Sequence, residues 1–278
     1  MSIGQPSRTA LGAAAHRAAH QLLDHRRIFH DPLALQILGQ SAQALAAQAL
    51  ADPERRALRL FIAARSRFAE DALGLAVKRG VRQFVVLGAG LDTFAYRNPH
   101  AGLQVFEADH PATQAWKRQR LSDAGIEVPP SLRFAAVDFE TIGLAEGLAT
   151  AGFDTSAPAF FSWLGVVVYL SERAIFETLG FISGLPVGAE VVFSYSDPPT
   201  SMRAAQAAAY RRRAARVAAM GEPWRTQFEP PALHVRLAAL GFNEIEDLGP
   251  TEVSILYLGA PADAPVRTGG HLIRARVG

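Results

Sequence analysis

From residue 83 onward the chain reads as a series of short apolar runs, most of them closed by glycine or an acid and separated by helical stretches. The runs are QFVVL (83–87), LQVFEAD (103–109), LRFAAVD (132–138), AFFSWLG (159–165) and EVVFSY (190–195), with helical segments over 111–124, 171–183 and 201–219. A strand that is apolar on both faces must be covered on both faces. The alternation therefore predicts an α/β fold with a mostly parallel sheet between two helical layers. A helix over 232–240 and two last strands, 242–248 and 271–277, bring the expected sheet to seven strands. The preceding residues lack such runs and read as three helices, 8–28, 33–50 and 54–79. Asp31-Pro32 marks the first turn, and Asp52-Pro53 puts proline at the first position of the third helix. We expect 1–278 to be one domain, with 1–79 as an N-terminal helical cap, an α/β core over 80–278 and lid helices over about 198–240.

Composition narrows the functional classes. A chain of 278 residues with 49% hydrophobic content can bury its own core. The absence of cysteine excludes disulfides, thiolate metal sites and a cysteine nucleophile. A formal charge of +2, with only two lysines against many arginines, argues against a nucleic-acid partner. No apolar run approaches the roughly 18 residues that a membrane span needs. Nor does the N-terminus read as a signal peptide, so a cytoplasmic location is expected. The eight histidines show no metal-ligand spacing, and no metal is expected. Arg211, Arg212 and Arg213 read as a solvated helix face.

Four features point to a ligand. Gly88-Ala89-Gly90 follows the first strand, where missing Cβ atoms at Gly88 and Gly90 let backbone approach a bound group. A dinucleotide turn would need a third glycine where Thr93 stands. Glu107 and Asp109 end the next strand, where an acid can accept from both hydroxyls of a ribose or simply cap the following helix. Asp138 and Phe139 close the third strand, placed to accept an adenine amino proton and to flank the ring. Arg65 lies on the apolar face of its helix, between Ile62 and Phe68. A buried guanidinium requires a partner. The residues alone leave open whether that partner is a structural carboxylate or the carboxylate of a ligand held in a bidentate fork.

Together these stretches resemble a known family, in order and over nearly the whole chain: TALGAAAHRA (9–18), HDPLA (30–34), ARSRFAEDAL (64–73), GVRQFVVLGAGLDTFAYR (80–97), FEADHPATQAWKRQRL (106–121), FAAVDFE (134–140), FSWLGVVVYLSERAI (161–175) and GEPWRTQFEP (221–230). The chain is similar to bacterial members of the leucine carboxyl methyltransferase-like group of S-adenosylmethionine-dependent methyltransferases. The resemblance implies a class I methyltransferase (Rossmann-like) fold and S-adenosyl-L-methionine as cofactor. It places Arg65 on the methionine carboxylate and Gly88, Ala89 and Gly90 beneath the cofactor. Asp109 falls on the ribose, and Asp138 with Phe139 on adenine. Members that methylate a protein carboxyl terminus carry glutamate where this chain has Leu164, and a lysine near His16 and Arg17. These departures favour O-methylation of a small-molecule carboxylate or hydroxyl over a protein terminus. They leave the base, if one is used, unassigned between Tyr169 and His16. A cofactor-binding homologue without catalysis and an NAD-dependent reductase are the remaining alternatives.

Overall fold

The computed structural model describes residues 8–25, 27–52, 55–140, 143–265 and 269–278. Seven strands form one sheet in the order β3-β2-β1-β4-β5-β7-β6. They are β1 (Gln83–Leu87), β2 (Gln104–Asp109), β3 (Leu132–Ala136), β4 (Ala159–Trp163), β5 (Glu190–Ser196), β6 (Phe242–Leu248) and β7 (Gly270–Val277). All pairings are parallel except those of β7, which runs antiparallel to β5 and to β6. Strand order reverses between β1 and β4, so the switch point opens at their carboxyl ends, where ligands of such sheets bind. The central strands β1 and β4 are buried along their whole length, whereas the edge strands β3 and β6 are only partly buried.

The two sheet faces carry separate cores, as the two-residue period of strands requires. Val85, Phe161, Trp163, Val191 and Phe193 pack with α6 (Leu144–Thr150), α7 (Glu172–Ser183) and α9 (Pro230–Ala239). Phe84, Val86, Val105, Phe160 and Val192 pack beneath α4 (Arg55–Lys78) and α10 (Pro250–Leu258). A third cluster joins α1 (Arg8–Leu23), α2 (Ala34–Leu38), α3 (Ala42–Ala51) and α5 (Pro111–Asp123). After β5 the chain forms α8 (Ala204–Ala218) and a return segment, 219–229, before α9.

Several boundaries differ from the sequence reading. The first helix ends at Leu23, and His25 turns left-handed at φ 51°. The helix expected over 33–50 is two, because Gly39 closes one in the left-handed region and the Ser41 hydroxyl accepts from Ala44 N–H to start the next. Helices α6 and α10 were not expected. The third strand ends at Ala136, so Asp138 and Phe139 stand in the turn beyond it. Pro53 and Glu54, the expected start of α4, lie outside the described residues, as does Arg26.

Candidate functional site: the carboxyl ends of β1, β2 and β4

The glycine turn is held from β2. Gly88 N–H and Ala89 N–H both donate to the Ala108 carbonyl, at 2.7 and 3.3 Å. Gly88 and Gly90 are left-handed, with φ 64° and 50°. A Cβ on Gly88 would stand 2.5 Å from Val166 Cγ2, and one on Gly90 would stand 2.9 Å from Ala10 Cβ. Both positions thus need glycine for conformation and for space. The turn then reaches Asp109, whose Oδ2 accepts Gly90 N–H at 2.6 Å and whose Oδ1 accepts His110 N–H at 2.7 Å. Burial raises the Asp109 pKa, against the two amide bonds that lower it. A carboxylate offers about four lone-pair directions, so acceptor capacity remains.

Across the switch point stands Arg65. The 24-residue helix α4 carries it on its buried side, close enough to Gly165 that a Cβ there would lie 2.6 Å from its guanidinium. Gly165 is left-handed at φ 73° and its N–H donates to the Ser194 hydroxyl at 2.9 Å, which fixes the backbone under the guanidinium. Arg65 makes no hydrogen bond or ion pair among the described residues. Burial, and then repulsion from Arg17, pull its pKa down to about 10, while Tyr169 and Asp92 act the other way. Arg67, two residues on, is exposed and pairs with Asp71 at 2.7 Å, as a solvated face should. The guanidinium of Arg17 is committed to Asp31 at 3.1 Å and to the Leu91 carbonyl at 2.6 Å. Arg65 is therefore a half-buried guanidinium without a protein counter-ion among the described residues.

The other expected residues fall around this centre. Asp138 turns back to accept Glu140 N–H at 3.1 Å, and Phe139 stacks on Trp163 with centroids 5.9 Å apart. Leu164 packs against the apolar core beneath α4. Tyr169 sits in a short 3-10 turn after β4 and within electrostatic reach of Arg65. His16, the other candidate base, is brought down to about 4 by burial and by Arg55, Arg59 and Arg65. It is neutral at physiological pH and a feeble base there. Its depressed pKa means that the unfolded chain takes up a proton near 6.5 while the fold refuses it until about 4. Stability is then full above 6.5 and is lost as pH falls toward 4, by up to roughly 3 kcal/mol. Urea unfolding at pH 7 and pH 4.5 should show this slope reduced in His16→Asn.

The segment that covers the site lies within the lid expected over about 198–240, although its middle is not helical. Glu222, in the segment after α8, accepts Arg8 N–H at 3.0 Å and Thr9 N–H at 3.2 Å, capping α1 from a distance. The Thr9 hydroxyl donates to the same carboxylate. Arg225 N–H donates to the Val168 carbonyl at 2.7 Å, and the Thr226 hydroxyl to the Leu170 carbonyl at 2.6 Å. The return segment is thus a strap, tied at one end to α1, which lies on Gly90, and at the other to the turn after Val166, which lies on Gly88.

Among the described residues no three His, Asp or Glu side chains converge to hold a metal, and no helix is long and apolar enough to cross a membrane. A Bacillus subtilis protein, YktD, whose name assigns it to the S-adenosyl-L-methionine-dependent methyltransferases, is 30% identical over 294 aligned positions that cover 95% of each chain. A Mycobacterium tuberculosis protein named for the same activity is 33% identical over 196 positions, 69% of this chain and 56% of its own length. A crystal structure of a Thermobifida fusca protein named as a methyltransferase superposes with TM-score 0.57 at 19% identity, covering 100% of this chain and 97% of that one; it shares the fold. The family model for leucine carboxyl methyltransferases matches residues 10–183, a span that holds Arg65, the glycine turn and both strand-end acids. The chain belongs to the leucine carboxyl methyltransferase family of S-adenosylmethionine-dependent methyltransferases.

Proposed function

We propose that the protein O-methylates a small molecule, at a carboxylate or hydroxyl oxygen, inside a site closed by α1, α8 and the strap. The observation that carries this reading is the strap. Its bonds to Arg8, Thr9, Val168 and Leu170 roof the carboxyl ends of β1 and β4. A protein terminus would have to enter past all of them. The acid that protein-methylating relatives place at 164 is replaced by Leu164, which packs into the core.

Within this reading S-adenosylmethionine supplies an activated methyl group on a sulfonium. The residues present fit it. Unpaired Arg65 faces the cleft and takes the amino-acid carboxylate in a bidentate fork. The turn of Gly88, Ala89 and Gly90 lets backbone run close to the cofactor. Asp109 offers its remaining lone pairs to the ribose, and Asp138 with Phe139 frames adenine. These side chains mainly orient and desolvate, which can contribute about 7–11 kcal/mol to a displacement reaction. A carboxylate acceptor needs no base; for a hydroxyl, Tyr169 is better placed than the acid-shifted His16.

Incubating the enzyme with methyl-labelled cofactor and cell extract tests the acceptor class. Label should appear in an extractable small metabolite. Base-labile label at a protein carboxyl terminus would show the reading to be wrong.

A further inference from the structure

Where β4 stops, one hydroxyl takes over from the sheet. β4 pairs with β5 as far as Trp163 and Phe193, and the chain then leaves the ladder. Gly165 turns left-handed at φ 73°, and its N–H donates to the Ser194 side chain at 2.9 Å rather than to a strand carbonyl. Ser194 stands between Phe193 and Tyr195 on β5, and strand alternation turns it to the other face, with Val192 beneath α4. That face is apolar, yet the serine in it is only 6% exposed. The bond to Gly165 is the one its hydroxyl makes among the described residues. A buried hydroxyl adds little to an apolar core and needs a partner. Here it holds a turn.

What rests on that turn is Arg65. A Cβ on Gly165 would stand 2.6 Å from Nη1, 2.8 Å from Nη2 and 3.0 Å from Cζ. The two terminal nitrogens are the nearest atoms, so an added methyl would crowd the end of the guanidinium where its N–H groups fork. That end is one a carboxylate can take with both oxygens. The bare backbone at 165 keeps it clear. The neighbours of Gly165 have anchors of their own. Leu164 packs into the core beneath α4. The Val166 carbonyl accepts Tyr169 N–H at 2.9 Å, and the Val166 side chain lies against Gly88. Of these three residues, the one under the guanidinium takes its place from β5.

We infer that Ser194 is a positioning residue for the amino-acid end of the cofactor: its hydroxyl holds Gly165 beneath Arg65, so that the fork of the guanidinium stays open to a carboxylate. The inference rests on the assignment of Arg65 to that carboxylate and adds the two residues that seat it. A long arginine side chain has many rotamers, and ordering it on binding costs affinity. A fixed floor under the guanidinium lowers that cost. Without the Ser194 hydroxyl the Gly165 amide loses its acceptor, and the turn must shift to find another. Arg65 then loses its seat, while Val166 keeps its own place against the glycine turn. The effect should therefore fall on ligands that carry the amino-acid carboxylate and spare those that lack it.

The test compares two ligands by calorimetric titration: S-adenosylhomocysteine, and methylthioadenosine, which keeps the nucleoside and the sulfur but has no amino-acid carboxylate. Ser194→Ala should weaken S-adenosylhomocysteine about fivefold and methylthioadenosine by less than about twofold. Gly165→Ala crowds the fork directly and should show the same selectivity with a larger loss. In an Arg65→Met background, Ser194→Ala should change S-adenosylhomocysteine affinity no further, because the two residues act through one group. Equal losses for both ligands in Ser194→Ala, or no loss for either, overturn the inference and leave Ser194 a core residue. So does a Ser194→Ala effect as large in the Arg65→Met background as in the wild type. An Arg65→Met protein that binds S-adenosylhomocysteine as tightly as the wild type would instead remove the cofactor role of Arg65, and this inference with it.

Discussion

Arg65→Met should abolish useful cofactor binding while leaving the ligand-free protein as stable as before, or more so. Removing one partner of a buried, hydrogen-bonded charge pair costs about 2–5 kcal/mol, so S-adenosylhomocysteine affinity should drop by about one and a half orders of magnitude or more. The opposite sign for stability follows from the missing partner. In the free protein the Arg65 guanidinium is desolvated, repelled by Arg17 and paired with nothing. An apolar side chain of similar volume removes that uncompensated charge. Arg65→Lys keeps the charge and loses the fork, and should fall between the two. Calorimetric titration and thermal unfolding on the same samples decide the matter. A Met variant that melts early but still binds the cofactor would make Arg65 a structural residue.

The second large effect concerns a pair that never touches ligand. Glu107 and Lys117, each about 1% exposed, form an ion pair at 2.7 Å between β2 and α5, with the ammonium 5.3 Å from the Tyr96 ring centroid. Lys117→Met leaves the carboxylate buried without a counter-charge and should cost about 3–5 kcal/mol, a fall of roughly 10 °C in melting temperature. Lys117→Met combined with Glu107→Leu should recover most of the loss, since an apolar pair carries no desolvation penalty. The pH dependence has a definite sign. Burial lifts Glu107 to about 7 even with Lys117 beside it. The unfolded chain releases that proton near the ordinary carboxylate range and the fold holds it until about 7. This contribution is therefore full below the ordinary value and is lost as pH rises through 7. In Lys117→Met the loss should continue to higher pH.

How much of this was legible in the sequence depended on whether a feature is set locally. Apolar runs such as QFVVL and AFFSW announced β1 and β4 because buried central strands have no polar face to hide. Helix α10 escaped notice because Pro250–Leu258 is nearly as apolar around as along, and so lacks helical periodicity. Its type is decided by packing on α4 and β7. The split of α2 from α3 was written in Gly39 and Ser41, but the alanine-rich surroundings concealed it. For the site, periodicity put Arg65 on the inner face of its helix. It could not say that no carboxylate waits there, since that depends on chain more than 20 residues away in either direction. Glu222 and Val166 act across gaps of 214 and 78 residues, which no local pattern encodes.

The close approaches at the glycine turn bear on how such chains diverge. Val166 and Ala10 fill the space a side chain would need at Gly88 and Gly90, so the fold itself polices those positions. A descendant that abandoned methyl transfer would still be selected to keep both glycines. Arg65 holds nothing in place, so in such a lineage it would be among the first residues free to drift. With Arg65 in the cofactor role proposed above, the arginine on α4 would be a better marker than the glycine turn for telling living enzymes from retired ones in this lineage.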